Sequence, residues 1–143
     1  MDIRIGAEDL QPEELIALYE DSGWGKALEY RPEMVKTAIE KADLVLQARV
    51  QKRLVGYLSA FSDGVSSTHL DVLLVHPAFR GRGIGTALMR TFLNHLAPTS
   101  LWVLGFEENA GFFERFGLKQ RPVLRAWSAS STEWKGVVAS REA

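Results

Sequence analysis

Residues 69–90 read HLDVLLVHPAFRGRGIGTALMR, and this stretch decides the fold. Its apolar first part is typical of a buried strand, and its last part has the apolar periodicity of a helix. Glycine at 81, 83 and 85 allows successive backbone N–H groups to converge on one point at the positively polarised start of that helix. Arg80 and Arg82 add two full charges. The stretch therefore predicts a strand, an anion-binding turn and a helix, and a pyrophosphate would fit such a turn.

Two other glycine-rich phosphate sites fit the residues less well. A Walker loop needs Lys and Ser or Thr after its last glycine, and residues 84–87 supply no such lysine. A dinucleotide fold places its glycines after the first strand of a parallel sheet, whereas this turn follows the fourth predicted strand. A turn that only tightens a strand-to-helix connection stays open as an alternative. The two arginines inside the turn count against it.

The order of elements outside this stretch predicts the fold class. Periodicity and turn residues give the order β-α-α-β-β-β-α-β-α-β, a meander followed by one crossover. Such an order predicts an α/β (α+β) fold with a mixed, mostly antiparallel central sheet and helices on both faces. The predicted helices cover residues 12–22, 32–42, 85–96 and 110–116. The predicted strands cover residues 1–6, 44–50, 54–61, 68–75, 101–104 and 120–127.

Length and composition exclude several classes of protein. A chain of 143 residues is the size of one domain, so we expect residues 1–143 to form a single domain in which residues 128–143 are an edge strand or a loose tail. The absence of cysteine excludes disulfides and thiolate chemistry, and the spacing of the three histidines predicts no metal site. A net charge of -1 gives no overall attraction to nucleic acid, and no apolar run is long enough to span a membrane. Without a signal-like start, we expect a cytoplasmic protein.

Two segments resemble the GNAT superfamily of N-acetyltransferases. Residues 75–85, VHPAFRGRGIG, look like its acetyl-CoA motif, in which V-x-P precedes [RQ]-G-x-G-[IL]-G. Residues 109–118, NAGFFERFGL, are similar to its second motif. The predicted order of elements also matches the family as far as residue 127. The resemblance implies an enzyme that transfers an acetyl group from acetyl-CoA to an amine.

The resemblance also implies how the cofactor is bound. Backbone groups of Leu73 and Val75 would pair with the pantetheine arm like an added strand, and an N–H near Val75 would stabilise the charge that develops on the thioester oxygen. Asn109 and Phe112 would flank the pantetheine. The residues expected to bind the cofactor are Leu73, Leu74, Val75, Arg80, Gly81, Arg82, Gly83, Ile84, Gly85, Thr86, Asn109 and Phe112.

Acid–base groups are expected on the fourth strand. Simple alternation would place His69 and Asp71 on the face that also carries Leu73 and Val75, so both would point toward the thioester. Asp71 is our choice as general base, acting directly or through water, with His69 beside it. An exposed His69 and an Asp71 that caps a turn or pairs with an arginine stay open as alternatives.

The family commonly carries a tyrosine as proton donor in its second motif, where this chain has Phe113. Tyr30 and Tyr57 are the possible substitutes. Trp24 and Tyr30, at the ends of a loop between the first two helices, are the predicted substrate-binding residues, and aromatic walls suit an apolar or cationic amine.

A small-molecule amine is therefore the expected acceptor. The alternative that Phe113 favours is a non-catalytic acyl-CoA-binding module that senses CoA or supports a partner. A polyanion-binding domain that uses Arg80 and Arg82 fails on charge balance. A homodimer through the C-terminal strands is left open.

Overall fold

The computed structural model describes residues 1–24 and 30–142. Residues 25–29, which belong to the predicted substrate-binding loop, lie outside the described residues. The strands are β1 (Asp2–Ile5), β2 (Leu44–Val50), β3 (Arg53–Ser62), β4 (Ser67–Val75) and β5 (Ser100–Val103). The helices are α1 (Pro12–Asp21), α2 (Pro32–Lys41), α3 (Ile84–His95), α4 (Ala110–Glu114) and α5 (Ser131–Glu142).

The chain forms two compact units. The first, Met1–Val103, contains all five strands and helices α1 to α3. The second begins at Leu104 and contains α4 and α5. The predicted acetyl-CoA turn and the predicted acceptor residues therefore all belong to the first unit.

One five-stranded sheet organises the first unit, in the order β1-β2-β3-β4-β5. The first four strands are antiparallel to their neighbours, and β5 runs parallel to β4 because α3 forms the crossover between them. A Cβ on Gly56 would lie 3.0 Å from Leu88 and 3.2 Å from Ile84 of α3, whereas the neighbouring Tyr57 packs with residues of α1 and α2. Neighbouring residues on a strand point to opposite faces, so helices cover both faces as predicted.

Helix α1 is anchored to the sheet by a charge pair between the buried Arg49 and the partly exposed Glu14. Pro12 begins the helix, and the Gln11 N–H donates to Glu14 Oε2 at 3.1 Å, which is half of a capping box. Both guanidinium NH2 groups of Arg49 on β2 donate to the Glu14 carboxylate, at 2.9 and 2.8 Å. This hydrogen bond to Arg49 lowers the pKa of Glu14. The pair fixes α1, and with it one wall of the cavity described below.

Strand β4 contains a β-bulge at Asp71. Ser59 pairs with Val72 and the next residue of β3, Ala60, pairs with Leu70, so Asp71 is the extra residue. A bulge puts residues before and after it out of simple alternation. Asp71 and Val72 therefore both face α1 and α2, and the face with His69 continues to Val72 and Leu74 rather than to Leu73 and Val75. The predicted common face of His69, Asp71, Leu73 and Val75 was wrong for this reason.

The C-terminal part differs from the sequence prediction. Within the described residues 120–127 there is no strand, and Pro122 lies in a turn there. Residues Ser131–Glu142 form α5, where an edge strand or a loose tail was expected. The Ser130 hydroxyl accepts from the Glu133 N–H at 3.2 Å, as an N-cap does. The homodimer left open for this region therefore has no strand in the described residues through which to form.

Candidate active site

The turn between β4 and α3 (residues 80–86, here called the glycine turn) has the conformation that its glycines allow. Gly81 and Gly83 have φ values of 78° and 82°, in the left-handed region, and Gly83 is the N-cap of α3. A Cβ at either position would meet no atom within 4 Å. The turn is therefore open on the side where a ligand would approach, and glycine is required for its backbone angles rather than for space.

Backbone N–H groups at the start of α3 supply the donors of this turn. The Ala87 N–H makes the first helical bond, to the Gly83 carbonyl at 3.0 Å. The preceding N–H groups, from Gly83 to Thr86, have no helical acceptor because of their position. Together with the helix dipole they favour an anion, and the open cradle and the two arginines fit a diphosphate.

Contacts of His76, Arg80 and Arg82 fix the turn to the rest of the unit. The His76 Nδ1 accepts from the Ala78 N–H at 3.0 Å, and its Nε2 lies 3.1 Å from the Asp21 carboxylate at the end of α1. The Arg80 Nε donates to the Val75 carbonyl at 3.0 Å, and the Arg82 guanidinium lies 5.0 Å from the ring centre of Phe79. These contacts join the end of β4, the turn and α1, so the donors are held in place before a ligand arrives.

The end of β4 has a backbone edge along which no described strand pairs, although the Val75 carbonyl on this edge accepts from Arg80 Nε. Within the described residues, β5 pairs with β4 only as far as Leu70. The His76 N–H donates to the Val55 carbonyl, which makes Gly56 and Val75 a pair without mutual hydrogen bonds. By alternation, the backbone groups of Val75 and Leu73 point away from β3. Leu74 was expected to bind the cofactor, but the structure does not place it on this edge. Its side chain is 3 % exposed and belongs to the core, and its backbone groups point toward β3.

A cavity of about 370 Å³ lies between α1, α2 and the bulged part of the sheet. Five aromatic side chains line it: Tyr19, Trp24, Tyr30, Tyr57 and Phe61. We call it the aromatic cavity. Tyr19 stacks on both Trp24 and Tyr30, with ring centres 5.8 and 5.1 Å apart, and the Tyr30 hydroxyl donates to the Trp24 carbonyl. The structure thus brings the two predicted substrate-binding residues together in one wall.

Asp71 lines the same cavity and His69 does not. Among the described residues, the Asp71 carboxylate has no hydrogen-bond or ion-pair partner, so it neither caps a turn nor pairs with an arginine. His69 is exposed, and its Nε2 lies 3.3 Å from the Ser67 hydroxyl. The bulge thus makes Asp71 a wall residue of the cavity, whereas His69, two residues earlier on β4, is not among the residues that line it.

The tyrosines beside Asp71 keep their protons. Burial raises the pKa of Tyr19, and the negative charges of neighbouring groups, Asp71 among them, raise it further. Burial also raises the pKa of Tyr57, although a hydrogen bond with Ser59 acts in the opposite direction and Asp71 adds to the increase. Both phenols are therefore neutral hydrogen-bond donors at physiological pH. The part of Tyr57 or Tyr30 as a proton donor in place of Phe113 stays a prediction.

The second unit contains the other predicted cofactor residues. Asn109 ends a 3-10 turn at Glu107–Asn109 and is followed by α4. Phe112 packs edge-on against Phe113 and Phe116, with ring centres 5.4 and 5.2 Å apart. The Phe113 ring also packs against Gly105: a Cβ added to Gly105 would lie 2.9 Å from Cε2 of Phe113. Phe113 thus has a packing role within this unit, and the roles of Asn109 and Phe112 stay predictions.

Sequence reasoning missed three residues of the aromatic cavity and one contact that fixes the glycine turn. The three residues are Tyr19 of α1, Met34 of α2 and Phe61 of β3. Only the packing of α1 and α2 across the sheet brings them to the wall with Trp24. The bond between His76 and Asp21, 55 residues apart, leaves no signal in a single sequence.

The described chain contains no group of three or more His, Cys, Asp or Glu side chains that could hold a metal ion. Among its described helices, none is both long and apolar enough to cross a membrane.

Comparison with known proteins points to one family. Residues 8–118 match the acetyltransferase (GNAT) family. A mycothiol acetyltransferase of Saccharomonospora viridis is 40% identical over 86 residues, which cover 52% of this chain and 28% of that protein. The chain thus spans little more than a quarter of the length of this curated relative.

Solved structures resemble the fold of most of the chain. A candidate acetyltransferase of Deinococcus radiodurans R1 superposes with a TM-score of 0.75 at 25% identity, covering 88% of this chain and 87% of that one. An aminoglycoside 6'-N-acetyltransferase complexed with coenzyme A superposes with a TM-score of 0.60 at 22% identity, covering 72% of this chain and 61% of that one. At this identity the second likeness concerns the fold alone. Because the family match covers most of the chain, including the glycine turn, the chain belongs to the acetyltransferase (GNAT) family.

Proposed function

We propose that this chain transfers the acetyl group of acetyl-CoA to the amine of a small molecule by direct attack on the thioester. The observation that carries the proposal is the position of Asp71, at the bulge between the open backbone edge of β4 and the aromatic cavity. An unpartnered carboxylate thus stands where a donor bound along the edge and an acceptor held in the cavity would meet.

Acetyl-CoA supplies an activated acetyl group as a thioester when it is bound. The glycine turn would hold its diphosphate with the N–H groups from Gly83 to Thr86, assisted by Arg80 and Arg82. The backbone groups of Leu73 and Val75 would pair with its pantetheine arm. One backbone N–H of this edge would stabilise the oxygen on which charge develops, a contribution of roughly 2.7–4 kcal/mol in acyl-transfer sites.

The acceptor amine must lose a proton, because alkylamines are mostly protonated at neutral pH. Asp71 would accept this proton, directly or through a water molecule. The thiolate of CoA is a good enough leaving group near neutral pH to depart without a dedicated acid, so Phe113 is compatible with turnover. A neutral Tyr57 in the wall of the cavity is available as a donor. His69, as an exposed neighbour on the strand, is a second candidate acid–base group.

Release of free CoA thiol from acetyl-CoA, measured over a panel of amines, tests the proposal. We expect amine-dependent release, with the acetylated amine detected by mass spectrometry as an amide. The thiol acceptors cysteine and glutathione belong in the panel, because the family match itself fixes acetyl transfer and not the acceptor atom. Their products are detected by mass spectrometry alone, since transfer to a thiol consumes one thiol for each CoA thiol released. Acetylation of a thiol alone would overturn N-acetyl transfer. Tight CoA binding without turnover on any acceptor would instead favour the non-catalytic acyl-CoA-binding module.

A further inference from the structure

The aromatic cavity has the composition of a site for one apolar amine. Eleven of its fourteen lining residues are aliphatic or aromatic, counting tyrosines as aromatic, and the other three are Arg31, Ser59 and Asp71. A volume of about 370 Å³ is near the lower end of the range of ligand sites, roughly 300–1,000 Å³. The cavity therefore suits a ligand with one ring and a short chain rather than an oligosaccharide.

The charges of the wall limit the ligand further. Among the described lining residues, Asp71 is the one carboxylate and Arg31 the one cation, and neither has an ion-pair partner in the described chain. One ammonium group would be compensated by Asp71. A second ammonium group would have to lie against aromatic and aliphatic walls or near the Arg31 guanidinium, where it loses hydration without gaining a carboxylate.

The aromatic rings of the cavity come from two parts of the first unit. Tyr19 of α1 stacks on Trp24, which follows α1, and on Tyr30, which precedes α2, whereas Tyr57 and Phe61 lie on β3. Ring faces of this kind attract both a flat apolar group and an ammonium group beside it. The ring of the ligand would lie between these walls, and its amine would lie toward Asp71.

From these observations we propose that the acceptor is a primary amine carried on a single aromatic or similarly bulky apolar group, bound as a monocation, and not a polyamine or an amino sugar. This inference rests on the proposed function, because it names the acceptor class of the same site. The reaction forms one amide bond and breaks the thioester bond. The bound ammonium loses one proton to Asp71, which passes it to solvent, and the free amine attacks the thioester carbon. The nitrogen then loses a second proton, which balances the proton that the departing CoA thiolate takes up.

The test compares three primary amines under the same conditions: 2-phenylethylamine, ethylamine and spermidine. We expect kcat/KM for 2-phenylethylamine to exceed the value for each of the others at least tenfold, because only this amine fills the cavity with a ring. Calorimetry with CoA-bound protein should show that 2-phenylethylamine binds and that spermidine binds more weakly. Binding thus gives a readout independent of turnover.

Two variants link the preference to this cavity. Trp24→Ala should lower kcat/KM for 2-phenylethylamine about tenfold and leave the KM for acetyl-CoA unchanged. Its matched control is Trp127→Ala, since Trp127 is 89 % exposed in the other unit. Met34→Glu adds a second carboxylate at a wall residue that is 55 % exposed and so tolerates a charge. It should lower the ratio of 2-phenylethylamine to spermidine turnover at least tenfold, whereas Val65→Glu, at an 81 % exposed turn residue, should not.

The outcomes separate the two claims. If spermidine or ethylamine is acetylated at least as efficiently as 2-phenylethylamine, the acceptor class is wrong and N-acetyl transfer stands. If the preference is found but neither Trp24→Ala nor Met34→Glu changes it, the aromatic cavity is not the acceptor site and the inference is overturned. If folded protein binds CoA and acetylates none of the three amines, the acceptor class is overturned, and the proposed function fails as well only if the wider amine panel also shows no turnover.

Discussion

Replacement of Gly83 by alanine tests the glycine turn with the smallest possible change. Gly83 has a φ of 82°, and an added Cβ would meet no protein atom within 4 Å. The substitution therefore causes no clash inside the protein. Its effects come from the backbone angle, which L-residues adopt at a cost, and from a methyl group that projects into the space available to the diphosphate.

The expected size of the effect follows from that angle. A left-handed conformation costs a residue with a Cβ about 1–2 kcal/mol. If the turn keeps its shape, this cost lowers the free energy of unfolding. If the turn relaxes in the free protein, binding must restore the shape, and the same cost lowers CoA affinity roughly 5- to 30-fold. The methyl group in the open cradle adds to the second effect, so we expect at least a tenfold loss of CoA affinity.

Gly64→Ala is the matched control, because Gly64 has a φ of 74° and an equally open Cβ position. It lies in the turn between β3 and β4, where the Asp63 carboxylate accepts from the N–H groups of Val65 and Ser66. Both variants should lose up to about 2 kcal/mol of stability in urea denaturation, from the same strain. Only Gly83→Ala should weaken the binding of CoA in isothermal titration calorimetry. Folded Gly83→Ala protein whose CoA affinity stays within twofold of the parent would refute the assignment of the diphosphate to this turn.

Three further substitutions test other parts of the structure. Asp71→Asn should lower kcat about 10²- to 10⁴-fold without changing CoA affinity in calorimetry, as expected when a general base is removed; an unchanged kcat would exclude Asp71 from proton transfer. Glu14→Gln should lower the free energy of unfolding by about 1–3 kcal/mol at pH 7, because the Arg49 guanidinium loses its charged acceptor. The pKa of Glu14 is lowered on folding, so the stabilisation by Glu14 exists above the unfolded pKa of about 4.3 and is lost as pH falls through the folded value. The difference in the free energy of unfolding between parent and variant, measured by urea denaturation, should therefore vanish below about pH 4. A difference that does not depend on pH would contradict this origin. Gly56→Ala should destabilise by about 1–3 kcal/mol in thermal unfolding, because the new Cβ would lie 3.0 Å from Leu88 Cδ1, and an unchanged Tm would mean that α3 shifts freely on the sheet.

Periodicity was enough to predict the first unit. Pro12 and Pro32 begin α1 and α2 as expected, and the alternating stretch after Asp43 forms the β2–β3 hairpin. Helices α1 and α2 follow their local patterns because one face of each is buried, whereas β2 and β3 are central strands that are buried on both faces. The parallel pairing of β5 with β4 likewise followed from the crossover helix between them.

The C-terminal region could not be predicted in this way. Residues 120–127 carry apolar side chains next to Pro122, a mixture that suits an interrupted strand but forms no strand in the structure. Helix α5 has exposed Trp134, Val137 and Val138 on a weakly amphipathic sequence, so its apolar residues gave no helical period to detect. Hydrophobic periodicity predicts a helix or strand only when one face of that helix or strand is buried.

The candidate site shows the same limit at a single residue. The sequence supplied Asp71, Trp24 and the glycine turn, because carboxylates, aromatics and glycines carry recognisable chemistry. It could not supply the bulge, since an extra residue in a strand is a property of the pairing between Ser59 and Val72 and not of β4 alone. The bulge nevertheless determines the geometry of the candidate site. It brings Asp71 to the same face as Val72, and it lies just beyond Leu70, where the pairing of β4 with β5 ends. Under simple alternation, the carboxylate and the next apolar residue would have faced opposite sides of the sheet. The role of Asp71 as general base therefore stays a prediction, and the geometric reason first given for it was wrong. Its place in the cavity follows from the register between β3 and β4.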